Sequence, residues 1–435
     1  MFKNTSKPRL PVHKVGTTRG PTPNTRGDAL NSLLPSSMRI PVPPESRYVF
    51  SSDTDLGTRL AENSESKPQA TAPQDQGKGA ADAAEVSLDA FMPIITQVPV
   101  PEETRSYNKL VVCVAFFDVK RELYTHGVAP YEADFERRYL ITQVSGLGVG
   151  LVVTMDHAPG TVIINECPLL VMPLLVLTLR RNGVRIRTDL LALAVGHLED
   201  KEARLFRQLY NCHPSHGDEV EDAWNIMKTN SLTIGQLPGY AGTYTAVYSD
   251  ICRINHSSSP NAIYNRNLES FTGEVRALRP IKAGEQVFIL YLDVRAPYDE
   301  RQLLLRNTYN FTCACPTCSL SEAERERSDV RRGVLSKFWR NALDDDVEAW
   351  IVNPKVPDDL VIKRFLRYAS MMEQEMLSDA QGISIARALV LAYSALRDIE
   401  GARKWAKKAE ELSLATSGSD DGWAKVTRSP ERTDW

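Results

Sequence analysis

Three thiols fall within six residues in NFTCACPTC (310–318), and this constrains the fold more than any other stretch. Cys313, Cys315 and Cys318 stand too close along the chain to pair with one another as unstrained disulfides. A Cys-x-Cys-x-x-Cys run reads instead as thiolate ligands converging on one zinc ion. The chain holds seven cysteines, an odd number, and none precedes Cys113. That is not the pattern of a secreted disulfide framework, and it predicts a reducing, intracellular compartment.

The first 106 residues carry 13 of the 26 prolines. Within them, SESKPQATAPQDQGKGAADAAE (64–85) has too little apolar surface to offset its ordering entropy. Disorder is therefore predicted over 1–106, with a lead-in segment over 107–136. The first 27 residues hold six Lys/Arg and no Asp/Glu, but Pro8, Pro11, Pro21 and Pro23 would break the amphipathic helix of a transit peptide. A disordered basic tail is the expectation. The formal net charge of −3 and the 25% charged residues give no global field aimed at nucleic acid or anionic lipid. The longest apolar run, PLLVMPLLVLTL (168–179), is too short to span a bilayer and contains Pro173, so it reads as a buried strand running into a helix.

KLVVCVAFF (109–117) is the first continuous apolar run and predicts a buried strand. From 137, RRYLITQV and GLVVTMDHAPGTVIINECPLLV alternate short β-branched runs with Gly and Pro, as consecutive strands do. Helix is predicted across about 174–229, including DLLALAVGHLEDKEARLFRQLY (189–210). Strands return over 261–292. After 320 the pattern is helical, and two amphipathic stretches flanking LRDIEG in 388–414 predict one αα-hairpin, similar to a tetratricopeptide helix pair. No second copy stands at the required period.

Four motifs occur in order. SGLGVGLVV (145–153) alternates glycines, which lets a backbone approach a ligand closely; a strand follows it, so it is not a dinucleotide fingerprint. NHSSSPN (255–261) offers an amide and an imidazole in front of a Ser-rich turn. AGEQVFILYLD (283–293) delivers Tyr291 beside Asp293. The cysteine run comes last. Taken together, these residues resemble the SET-domain protein-lysine methyltransferases. GLGVGLVVTMDHAPGTVIINECPLL is similar to that family's opening segment, NHSSSPN to its Asn-His-Ser-Cys-x-Pro-Asn signature, GEQVFILYLD to its Gly-Glu-Glu-x-x-x-x-Tyr-x-Asp strand, and CACPTC to its post-SET cluster. The split layout over roughly 137–320 is most similar to the SET–MYND branch and its MYND-less relatives. In the insert only Cys212, His213 and His216 are plausible ligands, too few for a MYND finger.

The resemblance implies a mostly-β, β-clip-like, pseudoknotted SET fold over 137–295, with a helical insert at about 174–250. A post-SET cysteine segment (296–320) and a helical, tetratricopeptide-like region (321–435) would follow. It implies S-adenosylmethionine-dependent methylation of a lysine on a protein substrate, a histone or another soluble protein. Leu147, Gly148 and Val149 would meet the methyl donor through their backbone, and Asn230, Asn255 and His256 would bracket it. Phe311 would stack on its adenine, Tyr291 would be the catalytic tyrosine, and Tyr309 would line the lysine channel. Cys313, Cys315 and Cys318 would bind zinc.

One departure stands out: the family's usual fourth zinc ligand is the cysteine of Asn-His-Ser-Cys, and Ser258 occupies that place here. A hydroxyl is a poor zinc ligand. Cys252, Cys212 or His213, or water, would have to complete the set. The alternative function is a catalytically degenerate SET-derived interaction module. A monomer is expected, in nucleus or cytoplasm, with no membrane or direct nucleic-acid partner.

Overall fold

Ile94–Val98 (β1) and Val111–Ala115 (β2) pair antiparallel, and VVCVA is buried at all five positions, as a strand covered on both faces requires. The computed structural model describes residues 93–98, 111–115, 117–126, 137–181, 189–268, 270–339, 343–353 and 355–430. β1 corrects the expectation of disorder through 106. Pro93, Pro99 and Pro101 made the stretch read as tail, but prolines bracketing a short run also mark an edge strand, and β1 is the edge of its sheet. The remainder of the expected tail lies outside the described residues. The expected lead-in is likewise part of the sheet: β2 joins Leu170–Pro173 (β6) in parallel, and Phe117–His126 forms a helix (α1).

Tyr139–Val144 (β3) and Gly148–Val153 (β4) form a hairpin, and Val162–Glu166 (β5) precedes β6. Leu174–Arg181 (α2) follows directly from β6, the strand-into-helix turn expected of PLLVMPLLVLTL. The expected helix over 189–210 is two, Asp189–Gly196 (α3) and Asp200–Arg207 (α4), because Gly196 ends the first and the chain turns before Asp200. Glu219–Asn230 (α5) is capped by the Asp218 carboxylate, which accepts from Val220 N and Glu221 N at 3.0 Å each.

The insert does not stay helical to 250. Leu232–Leu237 (β7) and Tyr240–Val247 (β8) are antiparallel strands, with β8 seated against β6, so the five-stranded order is β1-β2-β6-β8-β7. Thr243, Tyr244 and Thr245 are consecutive β-formers, and Tyr244 to Val247 are buried at all four positions, as an inner strand covered on both faces requires. One core lies under the strands, and a second sits between this sheet and the insert helices around Trp224 and Phe206. Cys113 belongs to the first; burial pushes its thiol up to about 12, so it behaves as an apolar side chain.

Asn255–His256 (β9), Ala262–Asn267 (β10), Thr272–Ala277 (β11) and Phe288–Ile289 (β12) complete the strands. The helices after them are Tyr298–Tyr309 (α6), Glu322–Trp339 (α7), Leu343–Val352 (α8), Leu360–Gln374 (α9), Ala380–Ala395 (α10), Ile399–Ser417 (α11) and Trp423–Arg428 (α12). α10 and α11 form the expected αα-hairpin, its turn closed by Asp398 accepting from Gly401 N at 2.9 Å. A third core, rich in Ala on α10, joins these helices to Leu292, Val294 and the cysteines at 313 and 318. The C-terminal helices therefore pack directly on the ends of β12 and on the cysteine segment.

Candidate functional site

The β3–β4 turn runs from Val144 to Gly148, with Leu147 N donating to Val144 O at 3.1 Å and positive φ at Gly146 (74°) and Gly148 (71°). These backbone angles favour glycine, and nothing lies within 4 Å of where a Cβ would stand at either position. The turn is open to an incoming molecule, with Leu147 and Val149 exposed beside it. Gly150 is different. A Cβ there would lie 2.4 Å from Gln286 Nε2 and 2.9 Å from Asn255 Nδ2, so this glycine admits the chain's own amides.

Those amides belong to the crossing at the centre of the site. β9 pairs in parallel with β12, Asn255 opposite Phe288 and His256 opposite Ile289. On its other side the same segment meets β4: Val287 N donates to Leu151 O at 2.8 Å and Val153 N to Glu285 O at 3.0 Å. Asn255 Nδ2 donates to Val149 O at 3.1 Å, joining the motif to the glycine turn. Asn261, at the far end of the motif, donates to Gln286 O and accepts from Phe288 N, both at 2.8 Å. Glu166 anchors the turn upstream: its carboxylate accepts from Ser249 N (2.9 Å), Asp250 N (3.1 Å) and Ile251 N (3.0 Å).

Four rings gather beside this crossing. The centroids of Tyr291 and Tyr309 are 5.0 Å apart, those of His256 and Tyr291 5.4 Å, and Phe311 lies 6.4 Å from both tyrosines. Tyr291 Oη donates to Ile254 O at 2.6 Å, and Tyr291 N donates to His256 Nδ1 at 3.1 Å. That donation puts the imidazole proton on Nε2. Burial drives the His256 pKa down to about 4, so the ring is neutral at pH 7. Burial also raises the Tyr291 phenol, with the neighbouring Tyr309 adding to the shift, and both keep it protonated. Tyr309 and Phe311 reach the cluster because α6 ends at Tyr309 with Asn310 in the left-handed conformation, which swings the chain round toward Cys313.

The three cysteine sulfurs lie within 4.8 Å of one another. Contact among the three sulfurs holds the Cys315 thiol well below its ordinary range and pushes that of Cys313 up. Ser258 occupies the fourth corner: its N–H lies 3.4 Å from Cys315 Sγ and its Oγ 3.4 Å from Cys318 Sγ. A soft trio of thiols closed on one side by a hydroxyl could hold a metal ion. The candidate substitutes are elsewhere. Cys252 Sγ donates to Asn230 O and accepts from Tyr248 N, and Cys212 Sγ contacts Thr229 Oγ1 and Thr308 O. His213 caps its own loop through Asn211 Oδ1. Among the described residues, only Cys313, Cys315 and Cys318 bring their ligand atoms together within 4.8 Å.

The three serines of the motif, all buried, divide their work. Ser257 Oγ accepts from Ser259 N at 3.1 Å, Ser258 faces the cysteines, and Ser259 Oγ bonds Thr317 Oγ1 at 2.6 Å and Glu375 O at 3.0 Å. The structure thus brings together Asn255, His256, Tyr291, Tyr309 and Phe311, with Val149 joined through Asn255. Asn230 turns its amide into the insert, donating to Tyr210 O and Ile226 O, both at 2.8 Å, while its backbone oxygen accepts from Cys252 Sγ, three residues before Asn255, at 3.2 Å.

The model of the SET domain family matches residues 148–292. Over those residues the chain is similar to SET domains. The match starts within the glycine turn and stops one residue after Tyr291. The chain is 30% identical over 233 residues to the histone-lysine N-methyltransferase set5 of Schizosaccharomyces pombe, covering 52% of this chain and 62% of that one. It is 35% identical over 88 residues to human N-lysine methyltransferase SMYD2, which is 20% of each chain. The SET domain of LSMT, solved with lysine and AdoHcy, aligns over 73% of this chain and 92% of its own at 13% identity, with a TM-score of 0.28. The chain therefore spans less than two thirds of the length of the curated relatives named here. No helix among the described residues is long and apolar enough to cross a membrane.

Proposed function

We propose that this chain transfers a methyl group from S-adenosylmethionine to a lysine side chain of a protein substrate. The observation that carries the reading is the tyrosine pair beside an open glycine turn. The Tyr291 phenol is protonated, half-buried and aimed by Ile254 O, and the Tyr309 ring lies 5.0 Å away. The sulfonium donor supplies an electrophilic methyl group; the chain must supply a neutral amine and hold it in line. A free lysine has a pKa of about 10.4, so only about one in a few thousand is neutral at pH 7. A channel walled by Tyr291, Tyr309 and Phe311 strips water from the amine and favours its neutral form. Neutral phenols suit this task, since a carboxylate would stabilise the unreactive ammonium.

Leu147, Gly148 and Val149 would offer their backbone to the donor at the open turn, Asn255 and His256 would bracket it, and Phe311 would stack on its adenine. Asn230 would contact the methionine or ribose portion of the donor from the end of the insert. The set5 and SMYD2 relatives are named as lysine methyltransferases, which supports this activity and a protein substrate here. Zinc would sit on Cys313, Cys315 and Cys318, with Ser258 Oγ or water as the fourth ligand, and would fasten the segment bearing Tyr309 and Phe311. A nuclear or cytoplasmic location fits the reduced cysteines. In the test, purified protein, labelled S-adenosylmethionine and an undermethylated cell extract are combined, with Tyr291→Phe as control. A labelled protein band that the variant loses is expected; no label from wild type with zinc supplied would leave the interaction-module reading.

A further inference from the structure

We propose that the buried Arg332–Glu375 pair is a positioning device that fixes the crossing of β9 and β12. It would do from the C-terminal helices what a fourth thiolate at position 258 would otherwise do from within the motif. The inference rests on the methyltransferase reading for its effect on rate, and on geometry alone for its effect on the loop.

The crossing needs outside support. β9 and β12 are two residues each, and a parallel ladder that short cannot hold its own angle. Their C-terminal ends converge on one guanidinium. Arg332 on α7 is wholly buried, and its Nη1 donates to Ser258 O at 3.2 Å and to Val294 O at 2.5 Å. Ser258 is two residues past His256 and Val294 three past Tyr291, so a single planar group spans the exits of both strands. Its Nη2 reaches Ser259 Oγ at 3.5 Å.

Glu375, just after α9, holds the guanidinium. Its Oε2 accepts from Arg332 Nε at 2.8 Å and from Ser328 Oγ at 2.6 Å, and its Oε1 accepts from Arg331 Nε at 2.6 Å. Its backbone oxygen takes the Ser259 hydroxyl. Two further arginines reinforce the same seam: Arg279 Nη2 donates to Ser259 O at 3.2 Å, and Arg295 pairs with Asp379 and Gln381. A buried ion pair is a poor source of stability compared with a well-packed apolar pair. What it supplies here is direction, since a planar fork set by one carboxylate can aim at two carbonyls at once. Ser258, which would fasten the loop strongly as a thiolate, makes only 3.4 Å contacts with the sulfurs.

The test uses the full chain with Arg332→Lys, which keeps the charge pair but not the fork, and Arg332→Met/Glu375→Gln, which removes both charges together. Three quantities are measured: amide exchange by mass spectrometry, zinc retention against a chromophoric chelator, and methyl-transfer kinetics. Exchange in 253–262 and 288–297 is expected to rise about tenfold or more in both variants, while the hairpin at 139–153 keeps wild-type protection. Zinc is lost at lower chelator, and kcat falls about a hundredfold with a smaller change in donor KM. Adding Ser258→Cys to the double variant is expected to restore zinc retention and most of kcat, which a merely structural role would not produce. Wild-type exchange in both segments of a folded Arg332→Lys protein, with kcat within about twofold, would overturn the proposal. If the wild-type chain transfers no methyl group, the methyltransferase reading fails, and exchange and zinc retention still decide the clamp.

Discussion

Asn255 and Ser258 stand three residues apart in one motif and meet opposite surroundings. Asn255 and His256 face the glycine turn and the aromatic rings, and their partners, Val149 and Tyr291, lie within the SET match at 148–292. Ser258 and Ser259 face away from it, and apart from Ser257 and Arg279 their partners lie 57 to 116 residues further on: Cys315, Thr317, Cys318, Arg332 and Glu375. One face of the loop is completed by the domain that contains it, and the other by the chain that follows. The site is therefore a joint between a strand-built half and a helical half, and its rigidity depends on both.

The largest expected effect breaks the helical side. Arg332→Met alone leaves the Glu375 carboxylate buried without its main counter-charge, and a loss of about 3–5 kcal/mol is expected in a denaturant titration. The double variant with Glu375→Gln should lose clearly less, because the charge then left without its partner is Arg331, which reaches solvent, and none stays wholly buried. On the strand side, Tyr291→Phe should lower kcat roughly a hundredfold, equivalent to about 2.7 kcal/mol of barrier, while thermal melting moves little. The phenol gives up one hydrogen bond, to Ile254 O, and that bond is worth only about 1 kcal/mol of stability.

A smaller effect sharpens the role of the crossing. Gly150→Ala puts a methyl carbon into the space of the Gln286 and Asn255 amides and should cost about 1–3 kcal/mol, read by calorimetry, with weaker donor binding. Gly146→Ala tests the other half of the glycine pattern. Its added carbon meets nothing, so only its left-handed backbone is strained, at about 1 kcal/mol. The smallest effect on stability belongs to Leu147→Ala, exposed at the turn, where a change within about 0.5 kcal/mol is expected. If Leu147 offers only its backbone to the donor, the donor KM also stays near wild type; a large rise in KM would assign its side chain a part in binding.

The face of the loop turned to the strands was legible in the sequence because its partners carry signals of their own. Gly150, Tyr291 and the cysteine run stand at fixed spacing within recognisable motifs, and each meets its partners in the fold: Gly150 the Gln286 and Asn255 amides, Tyr291 the Tyr309 ring, and the three cysteines one another. The other face was not. Arg332 and Glu375 sit in helical segments full of charge, ERERSDVRRG and EQEM, where a wholly buried arginine looks like its solvated neighbours. Glu166 was hidden likewise, a lone carboxylate in an apolar strand whose four donors come from a turn more than eighty residues on. β1 was missed for the opposite reason: its flanking prolines spoke louder than five residues of strand, and only pairing with β2 gives it a surface to bury. The insert looks helical beyond its true end because β7 and β8 alternate weakly, with Gly235 and Gly242 inside them and Gly239 in the turn between them.

The most direct test of the central claim identifies the atom that receives the methyl group. Wild-type protein and Tyr291→Phe are each incubated with labelled S-adenosylmethionine and the extract, the labelled proteins are hydrolysed in acid, and the amino acids are separated. Label is expected in N-methyl-lysine for wild type, and close to none for the variant. Label in another amino acid, or equal label from both proteins, would contradict the assignment of Tyr291 and of the channel it forms with Tyr309.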